Sequence, residues 1–350
     1  MAQYKPGIII NPWAGKGNKN DKIIERIVKY ARKEGIPIRI PKNLAELQGD
    51  LATLVLMMRV NLLLVWGGDG SLLEINKILI QWKKDRVIKD YPVILLLGGG
   101  SLKVVFKSLG FRFISPQRLL KLVNQKVKRG QDLPIYYRRP LKVKTDEGVN
   151  YGFVFMMGAV ERVAFLFNNR SGEERTFWKG CGLFLKSCFA ALFYPFGYRN
   201  EYSSLLKKFN TQIWLDGNLC FQAQHLVVSI SRIRSLIPWL VKPYRGQTDG
   251  GDKSFFLGYD LSSLMIVLLL PLAIRGWMPK NHLRSINRPA RHIKIGLQRP
   301  KEHYFMLDGE RITTEGNDIE ITNSDINLPF VHKFYSFWGR LLWWLKKIKY

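Results

Sequence analysis

Five apolar residues, Leu62 to Trp66, run straight into Gly67-Gly68-Asp69-Gly70-Ser71, followed by Leu72, Leu73 and Glu74. A short apolar run, a glycine cluster and then a helical pattern read as a buried strand turning sharply into a helix. Glycine lets backbone approach a ligand with no Cβ in the way. The first turn of a helix presents free N–H groups and the positive dipole end to an anion. Ser71 and Glu74 have capping-box spacing, so the helix start alone accounts for them. Asp69 lacks that account: a carboxylate in an anion-binding corner calls for a cation such as Mg²⁺ beside it. Alone, the octapeptide fits a plain strand–helix turn as well as an anion site.

Two other segments repeat the arrangement. Ile9-Ile10-Asn11-Pro12-Trp13-Ala14-Gly15-Lys16-Gly17 is a strand entering a glycine-rich turn with a lysine, without the spacing of a P-loop or of a dinucleotide fingerprint. Gly98-Gly99-Gly100-Ser101 follows the apolar run Pro92 to Leu97 and again opens a helix. Three strand ends finishing in small residues would line one edge of a parallel sheet, where ligands bind in such folds.

The alternation around these corners is regular. Strands are expected at Gly7–Ile10, Ile38–Ile40, Leu62–Trp66 and Pro92–Leu97. Between them, Asp21 is a candidate N-cap for a helix carrying Ile23, Ile24, Ile27, Val28 and Ala31, ended by Gly35. Leu44 to Met58 reads as a helix, the glycine corner opens another through about Trp82, and Ser115-Pro116 starts one with Leu119, Leu120, Val123 and Val127. This rhythm predicts an α/β fold with a parallel sheet covered by helices.

After Gly130 the pattern changes. Arg138–Lys144, Tyr151–Met156, Gln212–Leu215, Leu219–Gln222 and Leu226–Ser231 read as short strands, with a hairpin turn at Leu215 to Asn218. The expectation is two domains: an α/β nucleotide-binding unit over 1–135, completed by about 300–330, and a β-rich, sandwich-like unit over 136–299 with a helical insert at 178–196. Residues 332–350 form an amphipathic tail.

In this order the motifs acquire specificity. NPxxGKG, then GGDGS followed by Glu74, then a glycine-rich turn ending in Ser101, resembles the catalytic domain of the diacylglycerol kinase and sphingosine kinase family of lipid kinases, whose usual forms are NPxSG, GGDGTxxE and PxGTxND. Val154 to Gly158 resembles that family's entry to its β domain, Thr248-Asp249-Gly250 its DDG element, and Leu307-Asp308-Gly309-Glu310 its late DGE motif. Collinear motifs over roughly residues 5 to 315 are far more specific than any single one.

The resemblance implies ATP-dependent, Mg²⁺-requiring phosphorylation of a membrane lipid hydroxyl, with diacylglycerol as default substrate. It implies that Asn11, Pro12, Trp13, Ala14 and Gly15 surround the nucleotide with Gly67, Gly68, Asp69, Gly70, Ser71 and Glu74, and that Ser101 contacts phosphate. Asp69 would work with Mg²⁺-ATP. Asp249, with backbone near Gly251, would sit at a structural metal site, and Glu310 would be the general base with Asp308 beside it. Such roles suit phosphoryl transfer, which needs charge neutralisation, in-line positioning and a carboxylate near the attacking oxygen. Leu307 to Glu310 also reads as a type I′ hairpin turn, and Asp216-Gly217 is assigned that role alone. The sequence departs from the family where Ser stands for Thr at 71 and 101, Gly98 for Pro, Lys103-Val104 for Asn-Asp and Thr248 for Asp, and Pro41 falls near an expected Thr. A relative that binds nucleotide or lipid without transfer is therefore a second reading, and a soluble NAD kinase, which shares the GGDG loop, a third.

Charge narrows the partners. Lys and Arg number 55 against 27 Asp and Glu, a formal net charge of +28 over 350 residues, so the surface attracts polyanions. His332 to Tyr350 mixes Trp338, Trp343 and Trp344 with Arg340, Lys346, Lys347 and Lys349, as an in-plane membrane helix requires, though a helix docked on the core has the same pattern. Leu183 to Tyr198 is a second candidate lipid-facing element. The expected partners are an anionic membrane surface and its lipid; no nucleic-acid module is recognisable, and a homodimer stays open. Three cysteines without ligand spacing, five scattered histidines and no apolar run near the roughly 20 residues needed for a span point to a cytoplasmic protein peripheral to the inner membrane face.

Overall fold

A computed structural model describes residues 4–12, 18–99, 104–111, 114–169, 207–225, 227–233, 253–259, 281–282, 285–297 and 303–334, with isolated positions in 182–205 and at 244. The first sheet contains β1 (Pro6–Ile10), β2 (Ile38–Arg39), β3 (Leu62–Trp66), β4 (Val93–Leu96) and β5 (Ile135–Arg138). Its order is β2-β1-β3-β4, then Leu328–Val331, then β5. The first five positions are parallel, with Ile8 opposite Leu64 and Leu64 opposite Leu95, while β5 closes the edge antiparallel. Parallel strands covered on both faces must be apolar throughout, and every residue of β3 is buried.

Two of the expected helix starts are displaced: Asp21, expected as an N-cap, lies in the first turn of a helix that begins at Asn18, and the helix Asp69–Lys84 starts from Gly68 with no side-chain cap, so Ser71 and Glu74 form no capping box. Helix α1 (Asn18–Lys33) buries Ile27 and Ala31, and Gly35 ends it at φ +67° with its N–H donating to the Arg32 carbonyl. Helix α2 (Leu44–Ala52) is capped by Asn43, whose side-chain oxygen accepts from the Glu46 N–H at 2.8 Å. The single helix expected to Met58 changes pitch: Thr53–Met57 form a π turn that closes with the Met58 N–H on the Thr53 carbonyl. Helix α3 (Asp69–Lys84) leaves the first glycine corner, α4 (Val104–Ser108) follows the third, and α5 (Pro116–Lys128) is capped by Ser115.

Among the described residues the remaining strands form two antiparallel sheets. One runs Asn218–His225, Phe209–Leu215, His292–Leu297, Asp318–Asn323, Leu141–Thr145, Gly148–Gly152. The other runs Asn281–His282, Ser285–Ala290, Ser254–Tyr259, Val227–Ser231, Val154–Gly158, His303–Leu307, Glu310–Thr314. Val143, Ile213, Ile295 and Ile321 of the first share one core with Phe155, Ile230, Phe256 and Phe305 of the second. Alternating inward residues of two sheets make a sandwich.

Two expected strands are each divided between sheets. Arg138–Lys144 breaks at Pro140, which has no N–H for a ladder: Ile135–Arg138 stays in the first sheet and Leu141–Thr145 enters the sandwich. Tyr151–Met156 breaks at Phe153, whose N–H leaves the ladder for the Asp308 carboxylate. Of residues 300–330, His303–Thr314 and Asp318–Asn323 lie in the sandwich, and Leu328–Val331 lies in the first sheet. The tail beyond Phe334 and most of the 178–196 insert lie outside the described residues; the insert's described positions are helical, with Phe189 and Phe193 exposed.

Candidate active site

The turns that follow β1, β3 and β4 at one end of the first sheet build the site. The Asn11 N–H donates to the Trp66 carbonyl at 2.9 Å, so the turn after β1 sits on the end of β3. The Asn11 amide then donates to Ser71 Oγ at 2.8 Å, tying that turn to the first turn of α3. The third corner arrives by contact of glycines: a Cβ on Gly99 would stand 2.8 Å from the Gly67 nitrogen. Only bare backbone allows two corners to touch like this. The corners at 67–71 and 98–99 therefore share one side of the sheet. Trp13, Ala14 and Gly15 lie outside the described residues, as does Ser101. Pro12 stands at the turn itself.

Asp69 has a structural partner that its own motif does not reveal. Its two carboxylate oxygens accept the N–H groups of Val104 at 2.8 Å and Val105 at 3.2 Å, at the start of α4. The carboxylate thus ties the first glycine corner to the helix after the third. Burial pushes its pKa up, against the two N–H groups and Lys107. Each oxygen keeps a second lone pair, a hard donor that suits magnesium held by one carboxylate and substrate phosphates. Among the described residues no group of three or more His, Cys, Asp or Glu could hold a metal alone. Asp249 and Gly251 lie outside the described residues.

The late hairpin reaches this corner from the far end of the chain. Leu307 and Glu310 pair across a turn in which Asp308 has φ +49° and Gly309 φ +93°, the type I′ geometry expected of Asp-Gly. Asp308 is 4% exposed and points inward. Its carboxylate accepts from the N–H of Phe153 and of Val154, both within 2.9 Å. Burial, and then the charge of Asp69, push the Asp308 pKa up to about 8. Asp308 therefore fixes the hairpin to the strand Val154–Gly158, and it has little surface left to meet a substrate.

Glu310 takes the exposed position. Its carboxylate lies against Gly70 so closely that a methyl group there would overlap it. Burial, and then Glu74, raise its pKa above the ordinary glutamate value. A cleft of about 300 Å³ opens here, lined by Glu74, Lys77, Asn150, Tyr151, Glu310 and Arg311 with Leu73 and Ile312. A smaller recess of about 80 Å³ lies beside Asn11 and Ser71, walled by Pro41, Leu44, Leu47 and Trp66. Glu310, Glu74, Asp69, Ser71 and Asn11 thus gather around one helix start. Lys77, Asn150, Tyr151 and Arg311 carry no motif, and only their place on elements flanking the cleft brings them in.

Residues 5–133 match the family model described as the diacylglycerol kinase catalytic domain. No curated protein matches the chain. Among solved structures, a diacylglycerol kinase from Bacillus anthracis str. Sterne is 14% identical, with TM-score 0.57, covering 94% of this chain and 97% of that one. A second structure from the same organism, described provisionally as a diacylglycerol kinase, is 17% identical with TM-score 0.60, covering 95% and 98%. At these identities the structures establish a shared two-domain fold, while the family match locates the kinase resemblance in the first sheet.

Proposed function

We propose that the protein is a lipid kinase that transfers the γ-phosphoryl group of ATP to the hydroxyl of a membrane lipid, with diacylglycerol as first candidate. The observation that carries this reading is the contact of Glu310 with Gly70: a carboxylate from residue 310 stands over the helix start where the Asn11–Pro12 turn and the corners at 67–71 and 98–99 meet. ATP phosphates would lie on the N–H groups of those corners, beside Asn11 and Ser71. Magnesium arriving with ATP would be met by Asp69 and would offset phosphate charge. Glu310 accepts the proton of the lipid hydroxyl, the hydroxyl oxygen forms its bond to the γ-phosphorus, and the bond to the β–γ bridging oxygen breaks, with ADP leaving on that electron pair. The cleft between α3 and the hairpin admits the lipid's head from the side of Tyr151 and Ile312.

The membrane partner is part of the same proposal. A net charge of +28 favours anionic headgroups. Phe189 and Phe193, 61% and 53% exposed, offer apolar side chains to an interface.

The decisive experiment is purified protein with radiolabelled ATP, Mg²⁺ and a panel of lipids in anionic vesicles. Wild type should label one lipid class, and Asp69→Asn should abolish labelling while remaining folded. Equal turnover by the two proteins would overturn the site assignment. A second reading, binding without transfer, is favoured by Val104, an apolar residue at the position of a family aspartate, whose N–H is spent on Asp69. Protection from thermal unfolding by ATP without any lipid product would select it.

A further inference from the structure

Among the described residues, the strand that carries Glu310 lies at the edge of its sheet and has one partner strand, His303–Leu307. Glu310 faces Glu74 across the cleft, and two carboxylates repel. Edge position and repulsion would both let this strand swing away from α3, yet Glu310 rests against Gly70. Something must hold the strand in.

The next residue has the means. The Arg311 guanidinium lies over two rings, 3.8 Å from the Phe165 centroid and 3.6 Å from that of Tyr304. Its Nε sits 2.8 Å from Glu161 Oε1, and the Glu161 side chain is 3% exposed. Phe165 and Glu161 are one turn apart on α6 (Ala159–Asn169), which packs on the strands Val154–Gly158 and His303–Leu307. A guanidinium held close over two rings and beside a buried carboxylate is confined by contacts that lysine does not reproduce. Removing Arg311 would leave the buried Glu161 carboxylate without its closest cation. Glu161 is further flanked by Arg162, whose guanidinium is anchored on the Lys207 carbonyl at 2.5 Å.

We propose that Arg311 is a positioning residue for the reaction: clamped by Glu161, Phe165 and Tyr304, it pins the edge strand to α6 and thereby holds the Glu310 carboxylate against Gly70. The proposal rests on the reading of Glu310 as the general base. It adds that the base is placed by a contact made away from the nucleotide, so that the position of α6 governs transfer.

The test compares Arg311→Met, Arg311→Lys, Glu161→Gln and the double variant Arg311→Met/Glu161→Gln, with activity normalised to folded protein. A misplaced base should lower kcat on the order of 10- to 100-fold while KM for ATP stays unchanged. Arg311→Met and Glu161→Gln should shift kcat in the same direction although they alter charge oppositely, and the double variant should cost no more than the worse single. Arg311→Lys should recover only part of the loss. Opposite shifts, or a Tm loss with normal kcat per folded molecule, would overturn the proposal. Amide hydrogen exchange of residues 310–312 gives a reading that needs no turnover. Faster exchange in both single variants supports the clamp, and unchanged exchange refutes it. A wild type that labels no lipid yet shows that faster exchange in its variants would refute the kinase reading and leave the clamp standing.

Discussion

The Glu310 carboxylate occupies the space that a side chain on Gly70 would need. Glycine at 70 is thus required by a residue 240 positions later as well as by any ligand. Gly70→Ala should displace Glu310 and lower kcat on the order of 100-fold, with circular dichroism unchanged. Gly49 supplies the control: it is exposed in α2 with nothing near its Cβ position. Gly49→Ala should leave kcat alone and raise stability by about 1 kcal/mol through helix propensity, read as a higher urea midpoint.

As the proposed general base, Glu310 accepts a proton only when ionised, so turnover should rise with pH through its pKa. Burial and Glu74 raise that value, with Lys77 the basic side chain nearby on α3. The acid limb of kcat/KM should lie above the usual glutamate range. Glu74→Gln removes the like charge and should move the limb to lower pH, which a pH–rate profile measures.

Asp308 provides a stability prediction of definite sign. Its folded pKa of about 8 stands above the ordinary 3.8, so the folded state favours the protonated acid. Its contribution is fully present below about pH 4 and is lost as pH rises through 8. Wild-type Tm should therefore fall between pH 5 and pH 8 more than that of Asp308→Asn. The asparagine keeps one oxygen for the Phe153 and Val154 N–H groups and does not titrate. Equal slopes for the two proteins would remove Asp308 as the source.

Binding to anionic vesicles should weaken steeply between 50 mM and 500 mM salt. Each basic residue near such a surface is worth about 1 kcal/mol, and screening shortens its reach to a few ångströms at high salt. Sedimentation with vesicles of graded anionic content measures this. Salt-insensitive binding would assign the attachment to apolar contacts.

Much of this was legible in local signals. The Leu62–Trp66 strand, the Ser115 cap and both Asp-Gly hairpins depend on neighbours within a few residues, and each stands where the sequence puts it. Contacts that cross the chain left no such trace. Asp69 reads as a lone carboxylate in a glycine turn, because the N–H groups it accepts come 35 and 36 residues later. The division of Tyr151–Met156 between two sheets depends on Asp308 taking the Phe153 N–H, 155 residues away. Arg311 looked like one of 55 basic residues, since nothing near it in sequence announces Glu161 or Phe165.

Leu328–Val331 fills the gap between β4 and β5, so the first sheet is a lock whose final tumbler is cut last. While the ribosome is still adding the sandwich, β5 has no neighbour to pair with and the apolar end of β4 stands open to water. The first sheet can therefore close only after residue 331 has been made. A fragment ending near residue 133, although it holds all three glycine corners, would lack that closing strand and should be recovered as an aggregate.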